Sequence, residues 1–311
     1  MALKQVLEIY ELLDSATVTG AEVASLLRSR GLDQVETKTI VGDKGTTDFL
    51  RITVPGAKGK SSGGGSPTLG LIGRLGGLGA RPARIGLVSD ADGAVTALSA
   101  ALKLADMRAK GDILAGDVII TTHICPNAPT QPHDPVPFMG SPVETAVLAR
   151  EEVSPEMDAI LSIDTTKGNR VINARGFAIS PTVKEGYILR VSEDLLDIMQ
   201  TVTGRLPAVL PITTQDITPY GNGLFHLNSI MQSAIASHAP VVGVALTTEV
   251  AVPGCATGAS HVTDIEEAVR FCIEVAKAFG RGTCRFYNEE EFQRLVGLYG
   301  SMGHLQTLGR L

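Results

Sequence analysis

Apolar residues recur at helical spacing through LKQVLEIYELL (residues 3–13) and through EVASLLRS (22–29), and Thr19 with Glu22 between them offers a reciprocal N-terminal cap. The chain is therefore predicted to open on two helices. VETKTIVG (35–42) and DFLRITVPG (48–56) then alternate like strands, and KGKSSGGGSP (58–67) is a polar, glycine-rich loop. Beyond it the pattern changes to short apolar runs separated by amphipathic segments. PTLGLIG (67–73), ARIGLVS (83–89), GDVIITTH (116–123), MDAILSID (157–164), AVLPITT (208–214) and PVVGVALTT (240–248) read as strands. AVTALSAALKLADMRAK (94–110), SEDLLDIMQTVTG (192–204, stopping at Gly204), LNSIMQSAIASH (227–238) and DIEEAVRFCIEVAKAFG (264–280) read as helices. Strands alternating with helices predict a mixed, mostly parallel central sheet with helices on both faces, as one α/β domain over residues 1–311.

Composition narrows the functional classes. With 44% hydrophobic residues the chain can bury a large core, and a net charge of −6 leaves no bulk basic surface to neutralise nucleic-acid phosphates. The first fifteen residues mix acidic side chains into their apolar periodicity, unlike a signal peptide, and no stretch approaches the roughly 20 uncharged apolar residues of a membrane span. A cytoplasmic protein without nucleic-acid or membrane partners is expected. The four cysteines, Cys125, Cys255, Cys272 and Cys284, form no C-x-x-C pair, so neither a disulfide framework nor a zinc knuckle is indicated.

Ligands of open α/β sheets gather at the carboxyl ends of strands. There this sequence places Arg74, then Asp90 and Asp92, then His123 and Cys125, then Asp164 with Lys167, Asn169 and Arg170, and finally Gln215 with Asp216 and Glu249 with His261. Carboxylates and imidazoles converging from several strand ends suit a divalent metal. Taken singly the same residues have plainer readings. Asp90 or Asp92 serves as a helix cap, His261 as a loop residue, and Lys167 with Arg170 as a surface ion-pair cluster. TQDITPYGNGLFHLNS (214–229) is a long polar loop carrying Asp216, Tyr220, Asn222 and His226, and loops of that length are often functional.

The order of these segments resembles the co-catalytic metal aminopeptidases of the glutamyl-aminopeptidase and deblocking-aminopeptidase type, with the related aminoacylase and carboxypeptidase-G families. VLEIYELLDSATVTGAEVASLL resembles their opening helix pair, and SPTLGLIGRLGGLG the strand ending in a metal-binding His-x-Asp. SDADGAVTAL resembles the segment whose Asp bridges two metals, SPEMDAILSID the strand with the next carboxylate ligand, and the run from Pro240 to His261 the closing strand and last ligand. The resemblance implies a zinc-exopeptidase-like fold and makes Asp90 the bridging position, Asp164 the next ligand and His261 the last. Only fifteen residues separate Arg74 from Asp90, which leaves no room for the family's inserted dimerisation domain. HICPNAPTQPH and DTTKGNR are also typical of a bacterial family of unknown function.

Two departures stand out. Arg74 occupies the position of the first histidine ligand, and a guanidinium does not ligate metals. TTHICPNAP replaces the paired glutamates, so His123 stands roughly where the general base belongs. The resulting expectation is a metal-dependent hydrolase of an amide bond in a small peptide or modified amino acid. Asp90, Asp164, His261 and His123 would hold one divalent ion, zinc first and manganese or nickel as alternatives. Arg74, His123 and Lys167 are the expected catalytic groups. Arg74, Asn169, Arg170, Asp216, Tyr220, Asn222 and His226 are the expected substrate contacts. The alternatives are a non-hydrolytic binding protein in which Arg74 replaces a metal, and a metal-dependent lyase or isomerase. A homo-oligomer is expected from the apolar helices and the family's habit of assembling.

Overall fold

The structure is a computed structural model that describes residues 1–74, 78, 79 and 86–306. Its α-helices are α1 (Leu3–Leu13), α2 (Gly20–Ser29), α3 (Asp92–Arg108), α4 (Thr145–Glu152), α5 (Glu193–Thr203), α6 (Val262–Gly280) and α7 (Glu289–Tyr299). Its strands are β1 (Val35–Gly42), β2 (Gly45–Val54), β3 (Leu69–Gly73), β4 (Val118–Ile124), β5 (Thr130–Gln131), β6 (Phe138–Met139), β7 (Ala159–Thr165), β8 (Gly176–Ile179), β9 (Val183–Lys184), β10 (Tyr187–Ile188) and β11 (Val241–Thr247).

The main sheet runs β1-β2-β4-β3-β7-β11-β9-β10, with β8 also on β11. β4, β3, β7 and β11 are parallel; β2 pairs antiparallel with β4, β8 and β9 antiparallel with β11, and β1 and β10 antiparallel with β2 and β9. The alternation of side chains across each strand divides the core between two faces. Leu69, Leu71, Leu161, Ile163, Val242 and Val244 face the helical layer of α1, α3 and α6, while Ile72, Ile160, Val241 and Ala245 join Met231 and Ile230 on the opposite face. The four parallel strands are buried on both sides, which explains their continuous apolar runs.

Both opening helices form as predicted, and Thr19 and Glu22 make the reciprocal cap. Ser192 caps α5 and Gly204 ends it in the left-handed region, φ 68°. Three expectations need correction. Residues 83–85 of the expected strand 83–89 lie outside the described residues, and Gly86–Val88 join no sheet; a 3-10 turn, Ser89–Ala91, leads directly into α3. Residues 208–214 form no strand, only an isolated bridge between Ile179 and Val209, because Pro211 removes a ladder donor. Residues 229–236 are 3-10 rather than α-helix. Among the described residues no helix is long and apolar enough to cross a membrane.

Close approach at one point positions the site. A Cβ on Gly93 would stand 2.5 Å from the Ile163 carbonyl and 2.7 Å from that of Arg74. Only glycine lets the first turn of α3 meet the ends of β3 and β7 so closely.

Candidate active site

Three pairs of buried ionisable side chains meet where these elements end. In the first, Arg74, the residue after β3, donates to Glu152 Oε2 at 2.5 Å, with side-chain exposures of 1% and 0%. Glu152 is the last residue of α4, and its carbonyl accepts from Thr121 Oγ1 at 2.8 Å. Burial raises the Glu152 carboxyl, and the Arg74 charge opposes that rise. Among the described residues Arg74 Nε and Glu152 Oε1 have no hydrogen-bond partner, so the pair retains unused polar capacity.

In the second pair, Lys167 Nζ donates to Asp92 Oδ2 at 2.5 Å, and both side chains are essentially inaccessible. Lys167 Nζ also donates to the Ala259 carbonyl at 2.5 Å, and Ser260 Oγ donates to Asp92 Oδ1 at 2.5 Å. Asp92 is therefore not a capping side chain. The residue before α3 is Ala91, which makes no side-chain cap, and the Asp92 carboxylate is taken up by Lys167 and Ser260. Lys167 is correspondingly a buried partner of Asp92 and no member of a surface cluster.

The third pair, Asp90 and Asp164, has no cation in ion-pair contact among the described residues. Asp164 ends β7; its Oδ2 accepts from Ser229 Oγ and its Oδ1 from the Thr165 amide, both at 2.7 Å. Burial lifts the Asp164 carboxyl to about 6, against which Ser229 and then the Arg74 charge act. Burial raises Asp90 further above the ordinary carboxylate range, and the charge of Asp164 adds to it. The Cys255 thiol lies against the Asp90 carboxyl and opposes the rise. The Asp90 amide donates to the Cys255 carbonyl at 3.2 Å. Two carboxylates in one water-poor place disfavour each other's ionisation, which is the arrangement that a proton or a cation relieves.

The loop between residues 214 and 229 lies beside this pair. The charge of Asp164 acts on the Tyr220 hydroxyl, adding to burial in raising it, while Arg74 acts in the opposite sense. The Tyr220 ring stacks on His226 at 4.4 Å between centroids. Asp216 accepts from the Thr213 and Leu227 amides, Asn222 donates to Thr218, and His226 Nε2 lies 3.0 Å from the Thr218 carbonyl. Of the expected substrate contacts on this loop, Asp216, Asn222 and His226 brace the loop itself, and Tyr220 is the one whose hydroxyl senses the carboxylates. Asn169 likewise shapes its own turn, accepting from the Val171 and Ile172 amides at 2.8 and 2.7 Å, and Arg170 is exposed.

The two expected imidazoles sit differently. His123 is buried in β4, with Nδ1 2.8 Å from Thr47 Oγ1 and its ring 5.2 Å from that of Phe49. Burial, aided by the Arg74 charge, drops it to about 3, so it is neutral at ordinary pH. His261 immediately precedes α6, is 54% exposed, and pairs with Asp264 at 3.3 Å. Among the described residues no three His, Cys, Asp or Glu side chains are grouped to hold a metal ion.

Sequence reasoning passed over Glu152, Cys255, Ser229 and Ser260 as site residues. TAVLAREE reads as the solvated end of a helix, and nothing local marks its last Glu as the partner of an arginine 78 positions earlier. The isolated serines and Cys255 carry no spacing signal.

A family described as "Protein of unknown function (DUF1177)" matches residues 38–309. No curated protein sequence matches the chain. Among solved structures, the fold is similar to that of a glutaminyl cyclase from an Acidobacteriales bacterium, with a TM-score of 0.52, 11% identity, and coverage of 90% of this chain and 94% of that one. It is also similar to the bottromycin maturation enzyme BotP, solved in complex with Mn, with a TM-score of 0.53, 16% identity, and coverage of 90% and 71%. At such identities the likeness speaks for the shared fold. With the family match spanning most of its length, the chain belongs to the DUF1177 family and carries its buried carboxylates on the mixed α/β fold of these two enzymes.

Proposed function

We propose that this protein is a metal-dependent enzyme acting on an amide bond of a small peptide or modified amino acid. The observation that carries the reading is the Asp90 and Asp164 pair, two buried carboxylates held by a hydroxyl, a thiol and an amide and, among the described residues, by no cation. Such a pair fits a hard, oxygen-ligated divalent ion, which binds through one or two carboxylates plus water or substrate. It falls short of the three protein ligands of a catalytic zinc site, since no third ligand side chain is grouped with it among the described residues. Manganese or magnesium suits the pair better than zinc, and BotP's complex with Mn supports that choice.

A cation held by Asp90 and Asp164 would supply Lewis-acid polarisation of the amide carbonyl. Ser229 and the Thr165 amide keep Asp164 fixed in orientation, and the Arg74 charge favours its ionised form. Tyr220, whose hydroxyl feels the charge of Asp164, would present that hydroxyl from the loop as a donor to the substrate. His123 stays neutral, and its bond with Thr47 fixes the ring.

A second reading, a non-hydrolytic binding protein, is favoured by the Arg74 and Glu152 pair, which keeps one internal positive charge in the site. Equilibrium dialysis of EDTA-treated protein against Mn2+ separates the two. The enzyme reading expects stoichiometric binding that Asp90→Asn and Asp164→Asn abolish; absence of bound metal in the wild type leaves the binding-protein reading.

A further inference from the structure

We infer that Lys167 is a positioning residue that staples the segment 252–259 at both ends, so that the middle of this segment fixes Asp90. The inference rests on the reading of Asp90 as part of the reacting centre. At one end, the Val252 amide donates to the Lys167 carbonyl at 3.0 Å. At the other, Lys167 Nζ donates to the Ala259 carbonyl at 2.5 Å. A single residue thus closes a loop through its main chain and its side chain. Asp92 holds the ammonium in place, and Ser260 ties the far end of the loop to the same carboxylate.

What the loop carries between those ends gives the staple its purpose. The Cys255 carbonyl accepts from the Asp90 amide at 3.2 Å and from Ser89 Oγ at 2.9 Å, and the Thr257 carbonyl accepts from the Ser89 amide at 2.8 Å. These bonds set the 3-10 turn that bears Asp90, and the Cys255 thiol lies on the carboxyl itself. Between the two ends Ala256 is buried in one cluster with Val88, Cys125, Ala128 and Met139, and Thr257 Oγ1 donates to the Gly254 carbonyl at 3.1 Å. Residues 248–261 contain no regular element, and Gly254 has a φ of 159°. An ammonium fully removed from water is an expensive way to tie down an ordinary surface loop. Its placement on Asp92, two residues along the chain from Asp90, is accounted for by precise location of the Asp90 carboxyl.

The staple predicts a site-specific change that general weakening of the fold does not produce. Lys167→Met removes the charge, and the double variant Asp92→Asn with Lys167→Met keeps the buried site neutral and close to its original volume, so that it folds. In both, Cys255 is expected to react with iodoacetamide about tenfold faster than in the wild type, as its loop opens locally. Cys272, in the core face of α6, stays unlabelled and serves as the internal control. Lys167→Arg restores slow labelling of Cys255. An unchanged Cys255 rate in the double variant overturns the inference, as does equal acceleration of Cys255 and Cys272, which would make the pair a support of the whole fold. Mn2+ dialysis of the same proteins distinguishes the two levels. Labelling as expected in a wild type that binds no Mn2+ removes the proposed function and leaves the staple intact.

Discussion

Arg74 with Glu152 and Lys167 with Asp92 form one kind of buried polar region; Asp90 with Asp164 forms another. In the first kind each carboxylate meets a cation at 2.5 Å, and the charges close on themselves. In the second, two carboxylates share a water-poor space where, among the described residues, their donors are a hydroxyl, a thiol and an amide, and both are pushed toward protonation. Breaking a closed pair leaves a lone charge, whereas neutralising an open pair removes a repulsion. The difference marks where the protein has finished its electrostatics and where it leaves a place for something else.

The largest expected effect comes from breaking a closed pair. Glu152→Leu strands the Arg74 guanidinium in the interior and should cost about 3–5 kcal/mol, read from urea denaturation midpoints. A loss under about 1 kcal/mol would mean that Arg74 finds another partner and the pair is not closed.

Neutralising the open pair should act in the other direction. In metal-free protein the folded Asp164, at about 6 against 3.8 for the ordinary side chain, binds its proton more tightly than the unfolded chain does. Its stabilising contribution is therefore complete at acid pH and is lost as the pH rises through about 6. Asp164→Asn removes that loss, so the wild-type stability relative to the variant should fall by about 2 kcal/mol between about pH 4 and pH 8. A difference independent of pH would show that Asp164 is ionised throughout. Comparing two proteins at each pH cancels His123, whose depressed value makes stability rise over part of the same range.

The smallest effect belongs to His261. Its pair with Asp264 is more than half exposed on the histidine side, and His261→Ala should change stability by less than about 1 kcal/mol. Unchanged Mn2+ affinity is expected with it. A tenfold loss would bring His261 into the ligand set that the family resemblance implies.

Much of the fold could be read from periodicity, because the parallel strands are buried on both faces and the amphipathic helices carry their caps. Thr19, Ser192 and Gly204 act at the helix ends they mark. Reading failed where tertiary contacts decide the local structure. Residues 229–236 have a helical pattern but are drawn into a 3-10 path with Ser229 bonded to Asp164 and Asn228 to the Thr165 carbonyl. Asp92 satisfied every local criterion for a cap and was claimed instead by a lysine 75 positions later. Asp90 and Asp164 were legible through their positions after Val88 and in β7; Glu152 and Cys255 were not, because their partners lie far away in sequence. Short-range pattern finds groups at the ends of strands, and long-range pairing decides which of them are already neutralised.

Whether the open carboxylate pair takes up a cation is open to direct measurement. The direct measurement is a Mn2+ titration of EDTA-treated protein at neutral pH, followed by electron paramagnetic resonance of the free ion, on the wild type, Asp90→Asn and Asp164→Asn. About one Mn2+ per wild-type chain is expected, with at least about a tenfold loss of affinity in each variant. Undiminished binding in both variants, or no stoichiometric binding by the wild type, would contradict it.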